Sequence, residues 1–247
     1  MDKKLVAVAL LLAALMGGAA HGYPPNAPLP ASAPGIGEHT LLGQEDGRAA
    51  ARAESAPLST LPGSTLLVFV AGYRNNEATP RDNHGNAWVP VGPAEVYRGY
   101  DGRYTVRPWI AVERGGVAPL RVQVDKPGTP AGELTLTVTE LRDARLANMA
   151  LVYPQPGLHL RSGEVRVDGP ALLLAYWWGD SGELRHRVVS GNGFKVVDAF
   201  TELPPNSAVQ AVVAARRVEQ AGTYSADWFN LPAQGAPLWI FAFTPAH

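Results

Sequence analysis

Apolar residues in this chain come in short runs separated by turn-forming residues. From Leu58 onward the runs fall at 66–71 (LLVFVA), 87–91, 104–112, 120–124 and 134–141, then at 158–160, 164–167, 171–177, 194–197, 209–218, 223–228 and 238–243. Residues 134–139 alternate with a period of two: Leu134, Leu136 and Val138 share one face and Thr135, Thr137 and Thr139 the other, as a half-buried strand requires. Asp101-Gly102, Gly115-Gly116, Pro127-Gly128, Ser162-Gly163 and Pro204-Pro205 punctuate the runs with turn chemistry. Residues 143–150 read as a short helix. Residues 23–57, rich in Pro and Ala, read as an arm or linker, with one or two helical turns over 47–54. Helical stretches are too few to cover a parallel sheet, so the pattern predicts antiparallel sheets.

Composition narrows the class. The chain has 247 residues, 17% of them charged, with 26 Gly and 22 Pro. That excludes a charge-rich disordered chain, a coiled coil and a long helical bundle. A formal net charge of −1 supplies no basic field for nucleic acid.

Residues 1–22 have the three regions of a secretory signal: Lys3 and Lys4, an apolar stretch from Leu5 to Met16, then small residues. The apolar stretch is shorter than the roughly 20 residues that span a bilayer, and no later run is long enough. The reading is an exported bacterial protein, secreted, periplasmic or at the cell surface. Cysteine is absent, so stability outside the cytoplasm rests on core burial alone, and cysteine catalysis and thiolate metal sites are excluded.

The runs also repeat. Residues 63–91 align without a gap on 169–197, with Leu66/Leu172, Leu67/Leu173, Arg81/Arg187, Gly85/Gly191 and Asn86/Asn192 among the identities. Each unit has too few strands to bury both faces alone. The prediction is an all-β, antiparallel two-sheet β-sandwich, jelly-roll-like, built from two related halves, 58–145 and 146–247, packed face to face. Two small sandwiches in tandem are the alternative.

Candidate chemistry is sparse. Asp82-Asn83-His84-Gly85-Asn86-Ala87-Trp88 is the most distinctive string. Each residue has a use in a hairpin turn; Asp82, His84 and Asn86 could otherwise ligate a metal, but the acidic count of a calcium loop is lacking. The string Asp82-x-x-Gly85-Asn86-x-Trp88, with a preceding strand from Gly63 to Ala71 and a following one ending in Glu140, resembles secreted and phage-tail-like β-sandwich domains of lectin-like jelly-roll layout. The resemblance implies fold and transfers no binding residue; in the second unit Val188 stands in place of the Asp.

Tyr97, Arg98, Tyr100, Asp101, Arg103 and Tyr104 interleave with Gly in one connection and form the candidate ligand-binding loop. Tyr and Arg there could stack on and hydrogen-bond a sugar or a protein surface. Trp177 joins them: adjacent strand residues face opposite ways, so one of Trp177 and Trp178 should enter the core and the other should not. Trp228-Phe229 reads similarly, and Trp88, Trp109 and Trp239 read as core. Glu140 shares the parity of Leu134 and Val138, so it should point inward and need a partner such as an Arg. No G-x-S-x-G, P-loop or G-x-G-x-x-G string occurs, and the histidines lack metal-ligand spacing. No catalytic residue, metal or cofactor is predicted. The expected partner is a glycan or cell-envelope surface. Self-association through residues 23–57, by strand addition to a neighbour's edge, is a second possibility, and a glycosidase using Glu140 a third.

Overall fold

The computed structural model describes residues 33–44, 52–73, 78–99, 104–125, 134–180, 185–202 and 210–246. Residues 1–32, which carry the expected signal segment and the start of the arm, lie outside them, as do Tyr100, Asp101 and Arg103. Every regular element described is a strand, and every pairing is antiparallel.

The first half contributes β1 (Gly35–Gln44), β2 (Arg52–Glu54), β3 (Thr65–Tyr73), β4 (Arg81–Asp82), β5 (Val89–Pro90), β6 (Glu95–Val96), β7 (Tyr104–Val112), β8 (Val122–Asp125) and β9 (Leu134–Arg142). Its large sheet has the order β1-β9-β3-β7-β5, with β6 also on β7; its small sheet has the order β2-β8-β4. The second half contributes β10 (Ala144–Val152), β11 (Gly157–Arg161), β12 (Val165–Val167), β13 (Ala171–Gly179), β14 (Arg187–Ser190), β15 (Lys195–Phe200), β16 (Gln210–Val218), β17 (Gly222–Tyr224), β18 (Asp227–Gln234) and β19 (Leu238–Pro245). Its large sheet runs β10-β19-β13-β16-β15, its small sheet runs β11-β18-β14, and β12 pairs with β17.

Three apolar clusters separate these sheets into layers. Leu66, Val68, Val70, Trp109, Val122, Val124 and Leu136 pack the first half's large sheet on its small one. Leu173, Trp177, Val212, Trp228, Leu238 and Ile240 do the same in the second half. Between the two large sheets lie Leu67, Phe69 and Leu141 on one side and Leu174, Tyr176, Trp178, Trp239, Phe241 and Phe243 on the other. Phe69 is the hub, 4.0 Å from Tyr176 and 5.4 Å from Trp239 between ring centroids. The alternatives of one sandwich or two tandem sandwiches therefore merge: each half is a two-layer sandwich, and the large sheets face each other.

A large sheet buried on both faces cannot show an exposed side. This corrects the expectation for Trp177 and Trp178, which are both fully buried: Trp177 enters the second half's interior and Trp178 the junction. It also explains why Thr135, Thr137 and Thr139 are fully buried, since the threonine face of β9 meets the other half. Trp228 is buried and Phe229 exposed, because the outer face of β18 is uncovered.

Two further readings are corrected. Residues 143–150 are not helical: Asp143 forms a one-residue turn at φ +52° between β9 and β10. The arm assigned to 23–57 is partly built into the fold in cis, β1 as the edge strand on β9 and β2 on β8. Junction-facing Ile36 and Leu41 supply the apolar contacts that hold β1 there.

The halves match in strand order and in local register. Ile36 stands opposite Leu141 and Leu146 opposite Phe243, and each pair is followed by a bulge in the edge strand. Ser55 and Ser162 repeat one pattern: each backbone N–H donates to a carbonyl on the partner strand, each hydroxyl accepts the N–H of that same residue, and each hydroxyl donates to the carbonyl of its own next residue. The alignment of Leu66 with Leu172 is, however, one residue out. Leu66 faces its small sheet whereas Leu172 faces the junction; Leu173 has the matching face. A slip of one residue turns every side chain over.

Candidate binding pole

Strand direction decides where the connections emerge. In the first half Gln44 and Gly72 both pair with Leu134, and Tyr73 pairs with Tyr104. The ends of β1 and β3 thus lie beside the starts of β7 and β9. In the second half Trp177 pairs with Leu238, Val152 with Leu238, and Gly179 with Gln210. The segments 45–51, 74–77, 100–103, 126–133, 181–184 and 203–209 therefore all join strand ends of this one kind.

Arg98 brings the two sets of ends together at a single pole. Its guanidinium lies 3.9 Å from the Tyr153 ring centroid. Its Nη1 donates to the Pro154 carbonyl at 2.9 Å and its Nη2 to the Tyr153 carbonyl. The Arg98 backbone N–H donates to the Tyr153 hydroxyl at 3.1 Å, which in turn donates to Asp180 Oδ2 at 2.7 Å. Burial, together with the Asp180 carboxylate, pushes the Tyr153 hydroxyl above its ordinary value against the opposing Arg98 N–H, so it stays protonated as a donor. Cation–π contact and charged hydrogen bonds of this kind hold a surface loop to a fixed base.

The sequence-predicted residues divide accordingly. Tyr97 is buried and stacks on Tyr104 at 6.3 Å, so Tyr97 roots the loop rather than offering its face. Arg98 is spent on the anchor. Tyr104 is half-buried at the start of β7. Trp177 is removed from the surface, its indole N–H donating to Asn230 Oδ1 at 3.2 Å. Tyr153 and Asp180, the other parts of the anchor, had no motif to mark them; their meeting with Arg98 depends on the junction between halves.

The opposite pole is tied by buried polar groups. Asp82 accepts the backbone N–H groups of His84 and Asn86 at 2.8 and 3.2 Å and the Trp88 indole N–H at 2.7 Å, so the hairpin reading of the string explains its carboxylate. His84 Nδ1 lies 2.8 Å from Glu113 Oε1 and its Nε2 2.8 Å from the Ala118 carbonyl. Both neighbours are acceptors, which suits the doubly protonated ring. Burial lowers the His84 pKa, but the Glu113 and Ala118 hydrogen bonds and the charges of Glu113 and Asp82 outweigh it and leave the value raised. Glu113 also accepts from Thr60 at 3.1 Å and from the Gly115 N–H.

Glu140 is fully buried, as its parity foretold, and Arg142 is its cation at 2.9 Å. It also accepts the N–H groups of Glu38 and Leu61 at 2.9 and 2.6 Å. Burial raises its pKa, while these donors more than compensate and leave it lowered. All its oxygens are engaged in holding β1 and the entry to β3, which is a structural task.

A third polar chain lies at the seam. His39 Nδ1 is 2.9 Å from Thr139 Oγ1, which is 3.0 Å from the Tyr176 hydroxyl, and His39 Nε2 is 3.7 Å from Asp198. Thr139 and Tyr176 are fully buried, so no substrate carbonyl can reach the hydroxyl. Burial lowers the His39 pKa against the pull of Asp198.

No protein-family model, curated protein or solved structure matches this chain.

Proposed function

We propose that this is an exported, non-catalytic binding protein that engages a glycan or cell-envelope surface through the pole anchored by Arg98. The observation that carries the reading is the anchor itself: Arg98, Tyr153 and Asp180 tie strand ends of both halves together at one end of a four-layered scaffold. Binding residues concentrate on loops held by a rigid frame. The chain next to Arg98 continues with Tyr100, Asp101 and Arg103, one aromatic ring with hydrogen-bonding groups suited to sugar hydroxyls. Residues 1–22 support export. The alternation of the chain between large and small sheets supports a jelly-roll winding of each half, and the shared register supports a duplicated unit. The test is a glycan array and a cell-wall pull-down with the Tyr100→Ala/Asp101→Ala/Arg103→Ala variant. Loss of binding with an unchanged melting curve is expected; undiminished binding removes this pole from the reading.

One observation favours a second reading, a self-associating surface subunit. The outer face of β11-β18-β14 exposes Val189 (43%), Phe229 (45%) and Leu231 (64%), and such patches mark contact surfaces. Light scattering over a concentration series, with Phe229→Asp as the control, decides it: a monomer at all concentrations removes this second reading.

A further inference from the structure

We infer that a groove at the seam between the halves, at the pole opposite the connections, binds an anionic amphiphile: a single alkyl chain ending in a carboxylate or a phosphate. The groove has a volume of about 560 Å³, within the range of small-molecule sites. It opens where the junction core meets solvent. Its apolar lining comes from Ile36 at the start of β1, Leu172 at the start of β13, Val196 and Val197 on β15, and Ala215 on β16. Ile36, Leu172 and Ala215 also belong to or pack on the junction core, so an alkyl chain laid here would continue an apolar surface already formed.

The rim has one sign of charge. Lys195, Arg216 and Arg217 line the groove and no carboxylate does. Among the described residues none of the three is in an ion pair. Arg216 is partly committed, its Nη1 donating to the Asn192 carbonyl at 2.6 Å and its guanidinium lying 5.3 Å from the Tyr224 ring centroid. Lys195 and Arg217 keep their donors. The register sets them against the apolar lining, Arg217 opposite Leu172 and Lys195 opposite Ala215. The carboxylate next to Val197 on β15, Asp198, is held towards His39 at 3.7 Å. An apolar trough capped by unpaired cations is complementary to a tail with an anionic head: the tail removes exposed Val196 and Val197 from water, and the head takes charged hydrogen bonds from Arg217 and Lys195.

Calorimetric titration of the full chain tests this. The probes are octanoate and octyl phosphate, compared with octanol, octyltrimethylammonium and inorganic phosphate. Saturable binding of one anionic probe per chain is expected, with the tighter of the two naming the head group. Octanol should bind about tenfold more weakly or worse, and the cationic probe not at all, as the loss of a charged hydrogen bond implies. The Lys195→Gln/Arg217→Gln variant, changed only at exposed side chains, should weaken octanoate about tenfold. Val197→Asp, which sets an anion in the lining, should abolish binding while the melting curve stays as it was. Equal affinity for octanol and octanoate, phosphate binding as tightly as octyl phosphate, full affinity in either variant, or no saturation would each overturn the assignment.

Discussion

The two small sheets have the same strand order and differ in the chemistry of their outer faces. On the first half, Arg52 pairs with Asp125 at 2.8 Å, Arg81 reaches the same carboxylate, and Arg121 pairs with Glu54 at 3.0 Å. On the second, the cross-strand pair matching Arg52 and Asp125 is His159 and Phe229, stacked at 4.7 Å. The buried faces do not differ in this way: Ala53 and Val124 match Leu160 and Trp228, all buried. The inner surfaces are constrained alike by packing, and the outer ones are free to diverge. Surface chemistry on this scaffold is therefore set half by half, and the second half's outer sheet is the one exposed to apolar contact.

The bulges show a second contrast, this time inside. Glu140 stands opposite the bulge of β1, and Ala242 opposite the bulge of β10. One bulge is closed by a carboxylate with four donors, the other by a methyl group and by Asn148, which accepts the Met149 N–H at 2.8 Å. The comparison breaks most visibly at Glu140. Replacing it by alanine, the residue of the other half, strands Arg142 and two backbone N–H groups; a loss of about 3–5 kcal/mol in urea unfolding is expected. A loss below about 1 kcal/mol would show that water satisfies those donors just as well. Next comes Gly37, where a Cβ would overlap the Glu140 carboxylate. Gly37→Ala should cost about 1–3 kcal/mol by overpacking, whereas Ala147→Gly at the matching, exposed position should leave the unfolding midpoint nearly unmoved.

Acid–base behaviour sharpens the same contrast. The His84 pKa is raised above 6.5 in the folded chain, so its stabilisation is complete below about pH 6.5 and is lost as pH rises through the folded value. Glu140 works in the other direction: lowered from 4.5, it stabilises above about pH 4.5 and fails as pH falls through the folded value. Thermal melts of wild type and His84→Gln should converge at high pH and separate below pH 6.5; parallel curves across the range would exclude the His84–Glu113 bond as the cause. Smallest is the outer surface. Asp125→Asn removes two exposed ion pairs and should shift stability by no more than about 1 kcal/mol, an effect that added salt should shrink.

How far these features were legible depends on whether they are local. The runs at 66–71, 134–141, 171–177 and 238–243 mark β3, β9, β13 and β19, because two-sided burial demands continuous apolar sequence. The turn at Asp82 was legible because its hydrogen bonds are made within seven residues. β10 was hidden by its own bulge, which breaks the alternation and leaves Leu146, Met149 and Leu151 out of step. β1 was hidden in the same way by Gly37 and Glu38. The burial of both Trp177 and Trp178 could not be read from a strand's parity, because it depends on what covers each face. The anchor of Arg98 on Tyr153 and Asp180 spans the two halves, and no spacing along the chain announces it.

Asp143 is the whole covalent link between β9 and β10, and the Ala246 N–H closes back on its carbonyl at 3.1 Å. With aromatic rings interlocked behind so short a tether, the halves have no hinge on which to swing. Capture by a closing jaw is therefore foreclosed. A pull at the Arg98 anchor is borne by both halves together.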